Sequence, residues 1–300
     1  MIYAFRRFVA LAAAGLMLGW ASAAGAIDIS PHRALYDLSL ESSKAESGVV
    51  DATGAMIYEW GETCDAWTVN QRFRLRLVYE DTDPVELSST LVSWESKDGL
   101  RYRFNERRLR NGEPDEEVKG EARLDGPGKG GKAEFSKPDM VTMTLAPKVL
   151  FPTAHTLLLI ERAMAGDNFV ARNVFDGATE DNASEISAVI GPRMEPTVSS
   201  DKASAGGKQK ALKSPLVERP SWRIRLAFFP ADVKAEEPDY ELGMRLFDNG
   251  VSGDMSLDYS DYVIKAKLDE IEPLSKPACL ELDWGARARD TLGAASCLRS

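Results

Sequence analysis

Apolar and polar residues alternate with a period of two from one end of this chain to the other, a period that suits half-buried β-strands rather than helices. In residues 67–79, Trp67, Val69, Phe73, Leu75, Leu77 and Tyr79 share one face, while Asn70, Arg72, Arg74 and Arg76 share the other. Leu100, Tyr102 and Phe104 alternate with Arg101 and Arg103, and Trp222, Ile224, Leu226 and Phe228 with Arg223 and Arg225. Tyr240, Leu242, Met244 and Leu246 repeat the pattern. Asn249-Gly250 then offers the positive backbone angles of a tight hairpin before a return strand at 255–259. Further strands are expected near 32–42, 49–60, 85–96, 117–124, 132–136, 140–146, 169–176, 185–190 and 261–270. Turns fall at Asp98-Gly99, Asn111-Gly112 and DGPGKGG, residues 125–131. The class that follows is all-β and mostly antiparallel, with about a dozen strands or more joined as hairpins.

One segment breaks the period. FPTAHTLLLIERAMAGDNF, residues 151–169, has Thr153 as a candidate N-cap and Gly166 as a stop, which predicts a helix over about 153–165. Leu157, Leu158, Leu159, Ile160, Ala163 and Met164 cover most of its circumference, so the sheet is expected to enclose it. Residues 196–215, PTVSSDKASAGGKQKALKSP, are poor in apolar side chains and read as a flexible insertion. The strands on both sides share one character, which favours a single domain over 27–285 with a tail at 286–300.

Arg6 and Arg7 precede an apolar run from Phe8 to Trp20 and a small-residue stretch ending in Ala24-Gly25-Ala26. That run is shorter than the ~20 residues a membrane span needs, so residues 1–26 are expected to be a secretory signal peptide, cut after Ala26 or alternatively Ala23. Removing those 26 residues, two of them arginine, leaves 274 and moves the net charge from −10 to −12. An acidic product is a poor partner for nucleic acid. With no later apolar stretch long enough to span, the mature chain is expected to be soluble in the periplasm.

In that oxidising space a disulfide is the leading role for two of the three cysteines, Cys64, Cys279 and Cys297. Cys297 is the fourth residue from the end, so the favoured pair is Cys64 with Cys279, leaving Cys297 free or mispaired. A metal site lacks any CxxC or HExxH spacing, and His32 and His155 are the only histidines. No GxSxG elbow or glycine-rich phosphate loop occurs. His155 is the one candidate base of a hydrolase, against a role in capping the helix or bonding a sheet carbonyl. Asp254, Asp258 and Asp261 fit no calcium loop. Arg72, Arg74 and Arg76 could hold an anionic partner, if not merely a solvated face, and Arg101, Arg103, Arg223 and Arg225 join them only if their strands are neighbours.

Five stretches carry a resemblance: YEWGETCDAWTVNQRF, LFPTAHTLLLIERAMAGDNFVARNVFDGA, SWRIRLAFFP, PDYELGMRLFDNGVSGDMSLDYSDYVIKAKLDEIEPL and KPACLEL. Together they resemble the EipB family of periplasmic cell-envelope integrity proteins, from about His32 to about Leu282. The resemblance implies a curled β-spiral, or open barrel, around one helix, similar in shape to bacterial lipoprotein carriers. It also implies that Cys64 and Cys279 match the family's disulfide and Thr153–Ala165 its enclosed helix. The insertion near 200–213 and the extra Cys297 depart from it. The function so expected is non-enzymatic support of envelope integrity, with a lipid or other amphiphile in a cavity lined by Leu157, Leu158, Ile160, Met164, Phe73, Leu75 and Trp222. The alternative is a periplasmic interaction scaffold, and a hydrolase using His155 stands behind both. No cofactor or metal is expected.

Overall fold

The computed structural model describes residues 27–178, 183–196, 214–230 and 236–279. The expected signal peptide, most of the insertion, the 286–300 tail and Cys297 lie outside the described residues. Among these, the chain runs β1 (His32–Ser43), β2 (Val49–Glu62), β3 (Ala66–Tyr79), β4 (Val85–Ser96), β5 (Arg101–Arg110), β6 (Glu113–Leu124), β7 (Gly131–Lys137) and β8 (Val141–Leu145). The helix α1 (Pro152–Ala165) follows, then β9 (Phe169–Val174), β10 (Ser184–Met194), β11 (Ser221–Phe229), β12 (Tyr240–Phe247), β13 (Ser252–Asp258) and β14 (Tyr262–Pro273).

All fourteen strands form one sheet in the order β8-β7-β6-β5-β4-β3-β2-β1-β14-β13-β12-β11-β10-β9. Every ladder is antiparallel, and all join chain neighbours except the central one, where β1 meets β14 with Leu38 opposite Ala266. The sheet is thus two meanders joined at the chain's first and last strands. The outer edges, β8 and β9, flank α1 in sequence.

Only one face of each strand is apolar, and no second sheet exists to cover it, so the sheet must curl over its own contents. Trp222, Ile224 and Leu226 of β11 and Ile186, Ala188 and Ile190 of β10 are buried against Leu159, Ile160 and Ala163 of α1. On the far side, the chain on either flank of α1 tucks inside the curl. Phe151 stacks on Tyr102 of β5 at 5.3 Å, and Phe175 meets the Phe104 ring edge-on at 5.8 Å. Phe104 fits only because both neighbours lack a side chain. A Cβ on Gly120 would stand 2.7 Å from its ring and one on Gly177, at φ +71°, 2.6 Å. A parallel bridge of Leu150 with Val174 draws the two flanks together.

The expected strands lie within a few residues of those observed, but two local expectations need correction. Thr153 is not the N-cap. Phe151 holds that place without a side-chain bond, and Pro152 takes the first helical position, where a missing N–H costs nothing. The stop is Gly166 as expected, at φ +86°, with Asp167 N–H bonded back to the Arg162 carbonyl at 2.9 Å. In the β12–β13 turn only Gly250 has positive φ. Asn249 is instead wholly buried and acts through its side chain, donating to the Leu216 carbonyl (3.1 Å).

Cys64, in the β2–β3 turn, is bonded to Cys279, with Cα atoms 5.5 Å apart and a sequence separation of 215. The bond pins the segment following β14 beside the β2–β3 turn, near the T-shaped pair Trp60 and Trp67. Closing so long a loop removes unfolded-state entropy worth up to about 5 kcal/mol. Cys64→Ser should therefore cost roughly 2–4 kcal/mol and lower the thermal midpoint measured by calorimetry; a midpoint equal to wild type would contradict this.

Candidate functional site

Register decides which side chains point into the curl. On β2, β3 and β4, Tyr58 stands opposite Gln71, and Gln71 opposite Leu91; Met56, Phe73 and Ser89 form the next row. Across the interior, Leu242 of β12 faces the same side as Leu226 and Leu257, and Met244 the same side as Ile224 and Met255. Near α1 these rows are sealed. Elsewhere Met56, Tyr58, Phe73, Leu91, Phe228, Leu242, Met244 and Leu257 point inward and yet keep part of their surface in contact with solvent. Inward side chains that water still reaches outline a hollow the sheet does not fill.

The helix forms one wall of this hollow. Leu157 and Leu158 are half-buried, while Leu159 and Ile160 are sealed against the sheet. Of the lining residues expected from the sequence, Leu157, Leu158 and Phe73 hold such positions. Ile160, Leu75 and Trp222 are 2% exposed or less and belong to solid core. Met164 is a correction: it is 57% exposed, because α1 is apolar on one side only and its last turn, with Glu161 and Ala165, faces out.

Polar groups inside the curl escaped the sequence reading. Glu95 of β4, 2% exposed, accepts the N–H groups of Thr153 and Ala154, each at 2.7 Å. It supplies the cap that α1 lacks, from the opposite wall. Burial pushes its carboxyl up to about 7, against the downward pull of those same bonds. Tyr58 and Tyr102 lie close enough to the Glu95 carboxylate for its charge to raise both phenols further, after burial. Arg108 of β5 also points inward, held by Glu106 (2.7 Å) and Glu116 (2.6 Å) and by the Ala178 carbonyl (3.3 Å). Asp176 keeps over a third of its surface exposed and accepts the Ala178 N–H at 2.9 Å.

His155 sits in the first turn of α1, 4% exposed, with no hydrogen-bond partner at Nε2. Burial lowers it to about 4 and the charge of Arg172 adds to the effect. It is a neutral imidazole at physiological pH, with no nucleophile bonded at Nε2. His32, likewise buried, donates from Nδ1 to the Ser30 carbonyl at 2.8 Å. Among the described residues no cluster of His, Cys, Asp or Glu could hold a metal ion, and no helix is long and apolar enough to cross a membrane.

The arginine faces separate. Arg72, Arg74 and Arg76 are exposed on the outside of β3, with no ion pair among the described residues. Arg103, two strands away, pairs with Glu121 at 3.6 Å and lies over Trp94. Arg223 and Arg225 are on β11, six strands from β3, so they cannot join the β3 strip. Arg225 is paired with Glu241 at 2.6 Å.

Residues 23–275, a span reaching from before the first described residue through β14, match the family described as EipB-like. The chain belongs to the EipB-like family. It is 31% identical to the cell envelope integrity protein EipB of Brucella abortus (strain 2308), covering 89% of this chain and 95% of that one. It is also similar to a crystal structure from Brucella abortus described as a beta-barrel-like protein of domain of unknown function DUF1849, with TM-score 0.73 and 27% identity over 83% of this chain and 100% of that one. The EipB-like fold is therefore shared along almost the whole described sheet.

Glu95 and His155 pull stability in opposite directions. A carboxyl raised on folding binds extra protons in the native state, so its contribution is full below pH ~4.3 and is lost as pH rises toward about 7. An imidazole lowered to about 4 binds fewer, so its contribution is present above pH ~6.5 and is lost as pH falls toward about 4. The stability difference between wild type and Glu95→Gln should thus shrink by a few kcal/mol from pH 4 to 8 in denaturant titrations. The difference for His155→Gln should grow over pH 4 to 6.5. A pH-independent difference for Glu95→Gln would refute the assignment.

Proposed function

We propose that this protein works without catalysis in the cell envelope, outside the cytoplasm, and that its hollow holds an amphiphile. The observation that carries the reading is the set of inward aliphatic and aromatic side chains left partly exposed between two walls of one sheet. A packed interior leaves few voids, and an enclosed apolar surface in contact with water is stabilised by any hydrocarbon that displaces it. The disulfide fits an oxidising compartment. Family membership, and the envelope-integrity role in the name of the Brucella relative, support the same setting.

Mass spectrometry of protein recovered from its own envelope under non-denaturing conditions, paired with solvent extraction, should reveal a bound hydrocarbon-chain molecule; repeated recovery of empty protein would defeat the reading. His155→Gln should leave the detergent resistance of a complemented deletion strain unchanged, whereas loss of resistance with normal folding would point to chemistry at that imidazole.

A second reading has its own observation. Arg72, Arg74 and Arg76 form an exposed row with no ion pair among the described residues, Arg72 and Arg74 opposite Thr90 and Ser88 of β4 and Arg76 opposite Glu86, a face suited to an acidic protein partner. Charge reversal at Arg72 and Arg74 should then remove a discrete crosslinked species seen in cells.

A further inference from the structure

Among the described residues, two arginines point into the curl from its strands, and they are treated differently. Arg108 is matched by two carboxylates within 2.7 Å. Arg172 lies on β9 between the buried Val170 and Val174 and opposite Ile186 of β10, with Ala188 and the uncharged Ser184 as diagonal neighbours on its face. Among the described residues its guanidinium has one hydrogen bond, to the Ala171 carbonyl at 2.7 Å, and no carboxylate within ion-pair distance. A guanidinium carries five N–H donors. Its surroundings supply a hydrocarbon wall from Ile186 and Phe228 and a neutral imidazole from His155, close enough for the arginine's charge to lower it. A half-buried cation that keeps its charge among apolar groups is costly unless an anion completes it, and a planar fork of donors suits a carboxylate or a phosphate.

We propose that the hollow takes an amphiphile with an anionic head, a carboxylate or a phosphate monoester, and that Arg172 seats that head while the chain lies along the inward face. This rests on the amphiphile reading above and names its ligand class. The contrast with Arg108 is what selects Arg172: among the described residues one inward charge is already matched by carboxylates and the other is not. The tail would run over Phe228, Leu242 and Met244, the half-exposed row on the same side of the sheet.

Titration of the purified, disulfide-bonded chain with decanoate, monodecyl phosphate and decanol tests this, with binding followed by calorimetry. At least one of the two anions should bind about tenfold or more tightly than decanol, and the tighter one shows which anion the site favours. Arg172→Met should bring the ratio close to one, and Arg172→Lys should keep most of it. Equal wild-type affinities for anion and alcohol would overturn the role of Arg172 while leaving the hollow as a binding site. A folded Arg172→Met that keeps the wild-type ratio would do the same. No binding of any of the three would overturn the amphiphile reading itself. Should Arg172→Met fail to fold, the wild-type ratio decides alone.

Discussion

The Glu95 carboxylate on the two leading N–H groups of α1 joins parts of the chain that nothing else connects so directly. A helix start carries unsatisfied donors and a partial positive charge, and burying it without an acceptor would cost several kcal/mol. Because the acceptor comes from the C-terminal end of β4, the helix cannot leave the curl without exposing a buried carboxylate and orphaning its own backbone. The wall positions the rod, and the rod keeps the wall bent. Everything inside, including the space beside Leu157 and Leu158, takes its shape from that mutual hold.

Much of this architecture was legible because a single sheet with one wet face writes its period plainly into the sequence. Trp67 to Tyr79 and Trp222 to Phe228 announce their inner faces without help from context. The helix was equally plain in type, and its cap was not, since the group that closes it lies 58 residues earlier in sequence and no local pattern links Glu95 to Thr153. Met164 was misjudged for the opposite reason: an apolar residue near a helix end has the same letter whether the sheet still covers it or has already turned away.

The interior polar groups left a signal that composition hides. Glu95, Glu106, Arg108 and Arg172 each occupy the inward parity of their strand, in step with Leu91, Phe104 and Val170 rather than with the outward row. A charge on the wrong beat of an otherwise regular alternation is costly, and positions that break the local rule are where a fold spends stability on something else. Three of the four find their compensation in the chain itself: Glu95 in backbone donors, Glu106 and Arg108 in one another. Arg172 does not.

The meeting of β1 with β14 at the centre of the sheet sets the order in which the molecule can be assembled. The strands before α1 form a meander by local hairpins, and those after it form another, but the first strand made waits for the last before its open side is covered. Contacts of such sequence span slow folding, and an uncovered strand edge invites pairing with the wrong chain. A polypeptide emerging from a translocation channel amino end first would present that edge for most of its passage. The covalent link at Cys64 can form only after the whole sheet has been delivered, and so reports completion rather than guiding it.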